Sequence, residues 1–502
     1  MFTKKISIIV LAVFLVAAVF VSCAKDEVSE SKPNANPDEV SASENENPEN
    51  TEPQRVMPNL PETDFGGKTY KVLGRNDATY AQFINFEIDA ETIIGEPVND
   101  AVYNRNRGLE EKYNVIIEQT LHNDPAGSLQ KLVKADEDVY SLAFIIQDKI
   151  GAMAASGNFR DLNAMKYLDF EKPWWSPAIN KAISVGNRLY YTTSDFNMMD
   201  KNRTYIMVFN KNMTTSYNLG NFYDLVYGNK WTVDKMVELC KTVSQDIDGD
   251  GEMTAADQWG FGMDSYNAFF ALFASCDNYM FTKDDRDYPA LSVKNEHAIS
   301  TVEKLLKLTN DKSMSYYCNE FQGKVSYDFW YVSTTMFVEG RLLFSAIFPH
   351  GLKGMAQEST VDYGVLPFPK YDEKQAEYIG VAENYHSALF AVPASVLDVD
   401  FAAFMLEALS AASKYEVMPY YYEVSTKNKY TDDEDSPKML DIIFNGLRYD
   451  LGCVYNWGGI NDLFRVTLPQ GKENNFVSKY DSIDPKVMAA MEKTLEIFKE
   501  LP

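Results

Sequence analysis

Val139-Tyr140-Ser141-Leu142-Ala143-Phe144-Ile145-Ile146 runs into Gln147-Asp148-Lys149 and then into small residues as far as Gly157. So apolar a run reads as a strand buried on both faces, as in a parallel sheet, and the small residues read as a helix. Upstream, Lys68 to Leu73 alternates as a first strand and ends in the loop Gly74-Arg75-Asn76-Asp77. Between the two, Val98, Ala101, Val102, Leu109 and Tyr113 recur at helical spacing, and Val115-Ile116-Ile117 follows as a short strand. Strand, helix, strand, helix in this order predicts an α/β fold with a parallel sheet.

After Trp174-Trp175 the pattern restarts. Strands are expected at Leu189–Thr192, Tyr205–Phe209, Leu342–Phe348, Tyr363–Leu366 and Ala388–Val392. Thr232 is a good N-cap for a helix with Val233, Met236, Val237, Cys240 and Val243 inward. A second helix starts at Asn295, a third at Asp400, and Asp484-Pro485 reads as the start of the last one. No solenoid repeat is present. The economical reading is two α/β units without a flexible linker.

Composition narrows the function. A length of 502 residues allows two to four domains at about 100–200 residues each. The net charge of −26 argues against a nucleic-acid binder, which needs a basic face. The four histidines (His122, His297, His350, His386) show no metal-ligand spacing, and five cysteines exclude a disulfide mini-scaffold. No G-x-S-x-G, H-E-x-x-H or C-x-x-C occurs, and Gly66-Gly67-Lys68-Thr69 lacks the first glycine of a P-loop. Aromatic residues make up 13% of the chain, which suits an acidic binding protein.

Residues 1–22 read as a secretory signal: Lys4 and Lys5, then an apolar run from Ile6 to Val21, short of the about 20 residues a spanning helix needs. Phe20-Val21-Ser22-Cys23 resembles a bacterial lipobox, with Phe20 where leucine is usual, so Cys23 is the expected lipidation site. Residues 23–61 are rich in Pro, Glu, Asn and Ser and read as a disordered tether, with the folded part starting near Asp64. The implied location is the outer side of the cell membrane, held by lipid.

Several stretches together resemble extracellular solute-binding proteins of family 1, which feed ABC importers and mostly carry sugars. They are Leu109-Glu110-Glu111-Lys112-Tyr113-Asn114-Val115, Lys172-Pro173-Trp174-Trp175, Phe209-Asn210-Lys211, Trp231-Thr232, Asp362 to Pro369 and Tyr455 to Gly459. The resemblance implies a two-lobed periplasmic-binding-protein-like fold with a ligand cleft at the hinge and lobes discontinuous in sequence. Lobe 1 is expected at 64–172 and 350–412, and lobe 2 at 173–349 and 413–502. It implies a monomer that is no enzyme, binds a carbohydrate and hands it to permease subunits.

By the same resemblance, the loop after the first strand supplies Arg75, Asn76 and Asp77, and the loop after Val139–Ile146 supplies Asp148 and Lys149. Arg203 takes a place where a carboxylate is commoner, and Phe348 or His350 takes that of an aromatic. Trp174 and Trp175 belong to the shared motif. Asp195, Trp330, Tyr331 and Trp457 are added on chemistry alone, because aromatic faces stack on sugar rings and polar groups bind hydroxyls; Trp457 is expected to be exposed. The alternatives are a secreted glycan hydrolase using a carboxylate pair, or a calcium-stabilised surface scaffold.

The sharpest local motif is Asp246 to Asp257. Asp246, Asp248 and Asp250 stand at positions 1, 3 and 5 of an EF-hand-type loop, with Gly251 at 6. The Glu252 carbonyl is at 7, Thr254 at 9 and Asp257 at 12, in place of glutamate. Calcium is expected here in a structural role.

Overall fold

The computed structural model describes residues 55–501, apart from 353, 356–358, 423–433 and 472. The expected signal, Cys23 and most of the expected tether lie outside the described residues. A compact unit begins at Arg55, earlier than the sequence suggests. Residues 55–61, assigned above to the tether, are held by specific bonds: the Val56 amide donates to Tyr415 Oη (3.0 Å) and Asn59 to Asp169 (3.3 Å).

Thirteen strands are described: β1 (Lys68–Arg75), β2 (Val115–His122), β3 (Leu142–Ile146), β4 (Ile206–Asn210), β5 (Trp259–Met263), β6 (Phe281–Lys283), β7 (Pro289–Leu291), β8 (Ser315–Tyr317), β9 (Leu342–Ile347), β10 (Tyr363–Leu366), β11 (Gly380–Val381), β12 (Ala388–Ala391) and β13 (Leu447–Arg448). The first main sheet has the order β12-β3-β1-β2 and the second β10-β4-β9-β5-β8. In the first, β1 runs parallel to β2 and β3, as the alternation of strands and helices demands. In the second, β9, β5 and β8 are parallel. The sheets are not wholly parallel, however. β12 joins β3 antiparallel, with Ala388 opposite Ile146, and β4 joins β9 antiparallel, with Ile206 opposite Ile347.

Two-residue periodicity places the cores. Along β4, Met207 and Phe209 enter the large apolar cluster that also holds Val72, Phe144 and Phe390 of the first sheet. Ile206 and Val208 face the other way, into a second cluster with Trp259, Leu342 and Val365. Caps fall where expected for two helices: Thr232 accepts from the Lys235 amide ahead of Val233–Val243, and Asn295 from Ala298 ahead of Glu296–Thr309. No helix among the described residues is long and apolar enough to cross a membrane.

Five local expectations change. Leu189–Thr192 forms no strand; Thr192 makes one isolated bridge to Phe390. The helix expected from Asp400 is Val399–Glu416, capped by Asp398. The last helix starts at Phe476 and runs through Pro485, although an interior proline costs about 3 kcal/mol. Phe476 and Tyr480 before the proline and Val487 and Met491 after it are all buried, so packing carries the helix across the missing bond. Finally β10, assigned above to the first lobe, pairs antiparallel with β4, with Tyr363 opposite Asn210, so the chain leaves the second sheet after 366 and not at 350. Likewise Leu451–Tyr455, assigned to the second lobe, packs on the helix Gln147–Ala155 that follows β3. A Cβ at Gly151 would lie 2.7 Å from the Val454 carbonyl oxygen.

Candidate functional site

The ends of the central strands converge on one cleft of about 460 Å³. β1 delivers Arg75 and Asp77, β9 delivers Phe348 and His350, and β5 delivers Asp264. Carboxyl ends of parallel strands are the usual ligand edge of an open α/β sheet. The two antiparallel strands reach the same edge with their beginnings. The start of β4 lies beside the end of β9 and brings Arg203; the start of β12 lies beside the end of β3, and the turn before it brings Glu383 and His386.

Phe83, on the loop after β1, organises the floor. His386 stacks on it at 3.8 Å between ring centroids. The Arg203 and Arg75 guanidiniums lie over the same ring at 4.2 and 4.9 Å. Arg203, only 2% exposed, donates to the Gln82 carbonyl (2.8 Å) and lies 3.3 Å from His350 Nδ1. Arg75 donates to Asp77 Oδ2 (2.9 Å) and to His386 Nδ1 (3.1 Å). Because a guanidinium has no acceptor, His386 Nδ1 accepts, and the ring proton sits on Nε2. Burial and the nearby arginines push both imidazoles down to about 3, so they are neutral. Burial lowers Arg203 to about 10, against the pull of Glu383.

Two aromatics line the same cleft as these polar groups. Trp330 and Tyr331 begin the segment leading into the helix Val332–Val338, with Asp328 accepting from the Trp330 amide, and are 48% and 49% exposed. The cleft therefore offers flat apolar faces beside charged hydrogen-bonding groups.

Of the residues singled out in the sequence, Arg75, Asp77, Arg203, Trp330, Tyr331, Phe348 and His350 line this cleft. Lys149 lies on a smaller adjoining cavity of about 120 Å³ that shares Arg75, Phe83 and His386. Asp148 sits at the start of the same helix, its amide donating to the Asn384 carbonyl, and burial holds its carboxyl above the usual range against the pull of Lys149. Asn76 is not on the lining; its amide bonds the His122 carbonyl. Trp174, Trp175 and Asp195 line a different cavity, of about 470 Å³. There Trp175 donates to Glu407 (2.9 Å), which burial raises to about 7, and Asp195 pairs with Lys414 (3.3 Å) and Lys201 (3.7 Å).

Trp457 is not an exposed stacker. It is 4% exposed, lies flat against Tyr455 at 4.4 Å, and donates to Thr494 (2.9 Å). Asn456 and the two glycines at 458 and 459 serve backbone needs: all three have positive φ, and a Cβ at Gly458 would lie 2.5 Å from the Val487 amide.

The sequence reading missed Phe83, Asp264, Glu383 and His386. Asp264 could have been found, since it stands at the carboxyl end of a strand as Arg75 does. Glu383 and His386 precede an antiparallel strand, which a parallel reading hides.

In the acidic loop, the carboxylates of Asp246, Asp248 and Asp250 lie within 4.8 Å of one another. Asp246 accepts from the Gly249 (2.7 Å) and Gly251 (2.8 Å) amides, and both glycines have positive φ. A hydrogen bond from the Asp250 amide pulls Asp248 down, but desolvation and the carboxylates of Asp250, Asp257 and Asp246 leave it above its ordinary value. Asp257 is buried, with its oxygens on the Ile247 and Thr254 amides and the Thr254 hydroxyl, so it ties the loop together from within.

No protein-family model matches the chain, and no curated protein does. Solved structures match over most of its length. A cyclo/maltodextrin-binding protein complexed with maltotetraose aligns at 15% identity and a TM-score of 0.51, over 86% of this chain and 97% of that one. UspC of M. tuberculosis aligns at 12% and 0.53, over 85% and 100%. The apo form of RafE from Streptococcus pneumoniae aligns at 14% and 0.50, over 86% and 97%. The fold is that of a two-lobed, periplasmic-binding-protein-like protein. At these identities the likeness is one of fold, and it is the fold implied by the resemblance to solute-binding proteins of family 1.

The core position of Trp457 makes a prediction. Trp457→Ala should cost about 3–5 kcal/mol of stability, as for other buried aromatic truncations, read as a lowered denaturant midpoint. A near-unchanged midpoint would return the ring to the surface.

Proposed function

We propose that the chain is a lipid-anchored extracellular solute-binding protein that captures a carbohydrate between its lobes and delivers it to the permease subunits of an ABC importer. The observation that carries this reading is a cleft lined both by the half-exposed rings Trp330 and Tyr331 and by the polar groups Arg75, Asp77, Arg203 and Glu383. A sugar presents an apolar ring face to the first and hydroxyls to the second. Hinge closure then buries the solute, and its release unchanged is the function. The N-terminal signal and Cys23 motif support secretion and lipid anchoring on the outer face of the membrane. The protein acts as a monomer, without nucleic acid and without catalysis.

Calcium at Asp246, Asp248 and Asp250, with the Glu252 carbonyl, Thr254 and Asp257 completing the loop, is the structural part of the proposal. The three gathered carboxylates fit a hard cation, which relieves their repulsion. The ion supplies only a positive centre that pins the loop between the helix Val233–Val243 and β5.

Two measurements follow. In a thermal-shift panel of neutral mono- and oligosaccharides, at least one should raise the melting temperature and be recovered intact. Trp330→Ala should weaken that binding between about two- and tenfold, the worth of one stacked ring, with little change in stability because the ring is exposed. Hydrolysis of the bound sugar, lost on mutating Glu383, would instead make the protein a glycan hydrolase. For the loop, a chelator should lower the melting temperature of calcium-loaded protein, because an ion bound only to the native state stabilises it. Asp248→Ala with Asp250→Ala should abolish that difference. Identical melting with and without chelator rules the ion out.

A further inference from the structure

We infer that Asp264 meets the solute as a neutral carboxylic acid, donating its O–H beside a charged Glu383, and that this pair fits the cleft to an uncharged polyol. The inference rests on reading the cleft as the solute site, and it names which chemistry that site accepts.

The geometry begins with two orphaned oxygens. Asp264 follows β5 directly and keeps a partly exposed edge, yet its Oδ1 is buried without a hydrogen-bond partner. Asp264 forms no ion pair among the described residues. Glu383 is better provided for. Its Oε2 accepts from the Tyr385 (3.0 Å) and His386 (2.9 Å) amides, and Arg465 stands 3.9 Å from Oε1, which has no hydrogen bond. Both residues line the cleft.

Two carboxyl groups with buried oxygens in one cleft do not both ionise readily, and the one with amides and a cation gives up its proton first. That one is Glu383. Burial, and then the charge of Glu383, push Asp264 up to about 8, against the hydrogen bonds of Ser265.

The other groups facing this pair do not blur the picture. Tyr205 and Cys318 face Asp264, and burial holds both far above their ordinary values, so they stay neutral. Arg203 faces Glu383 and stays charged below about 10. Arg75 is paired with Asp77. His350 and His386 are neutral. Asp328, on the rim, caps the segment starting at Phe329. Asp264 is the group of the cleft placed to lose its proton near pH 8.

A protonated carboxyl donates one hydrogen bond and accepts another, while Glu383 only accepts. Neighbouring hydroxyls of a polyol satisfy that set. An anion would meet the charge of Glu383. An ammonium would favour the ionised form of Asp264, so its binding would tighten with rising pH, the opposite sign.

The test has one arm without ligand and one with it. A carboxyl whose native pKa lies above its unfolded value contributes stability that is present below pH 4 and is lost as pH climbs through 8. The full-length protein should therefore fall increasingly behind its Asp264→Asn variant in melting temperature from pH 5 to 8, with the gap constant above pH 9. A gap independent of pH over that range means Asp264 is already charged, and overturns the inference whatever the ligand.

In the second arm, maltotetraose and raffinose are titrated by calorimetry at pH 7 and 9. Affinity of the wild type should fall about tenfold, because at pH 9 only about a tenth of Asp264 keeps its proton. Whatever affinity Asp264→Asn retains should be equal at both pH values. Affinity that rises with pH, or an equal fall in Asp264→Asn, overturns the inference. If neither these sugars nor any other of the neutral panel binds while the first arm holds, the carbohydrate reading fails and takes the polyol half of the inference with it.

Discussion

Two guanidiniums share one phenyl ring. Arg75 and Arg203 come from different sheets, and both lie against Phe83, which His386 also covers. Like charges this close need an environment that disperses them: the ring's negative face, the Asp77 carboxylate, the field of Glu383, and two imidazoles that accept and do not charge. The remaining features of the cleft follow from that arrangement. Burial, and then the arginines, hold the histidines neutral; Arg465 and Arg203 favour the charge on Glu383 against its burial; and burial, and then Glu383, keep the proton on Asp264.

The fold was largely legible because burial on both faces leaves an unmistakable apolar run, as in Leu142–Ile146, and because helix caps such as Thr232 and Asn295 are local chemistry. Direction of pairing was not legible. Nothing in Ile206–Asn210 or Ala388–Ala391 says that these strands run against their neighbours, and that fact decides which loops meet the cleft. It explains why Glu383 and His386 escaped notice while Arg75 and Phe348 did not. Trp457 shows the complementary error. A tryptophan flanked by asparagine and glycines looks exposed, yet the same residues are what a tight left-handed turn needs when it tucks a ring into the core.

Trp174, Trp175 and Asp195 show a third kind of limit. Their chemistry suits a sugar, but they line a separate cavity, and there Glu407 answers the Trp175 indole while Lys201 and Lys414 answer Asp195. Residue type alone does not distinguish a group waiting for a ligand from one satisfied within the protein. The unpartnered Asp264 Oδ1 and Glu383 Oε1 do make that distinction, and it takes coordinates to see them.

The most direct test of the account is a crystal structure of the protein soaked with the neutral oligosaccharide that stabilises it most. The account predicts a sugar ring against Trp330 or Tyr331, with hydroxyls on Asp264 and Glu383. A sugar lodged beside Trp174 and Asp195, with the cleft above Phe83 filled only by solvent, would contradict it.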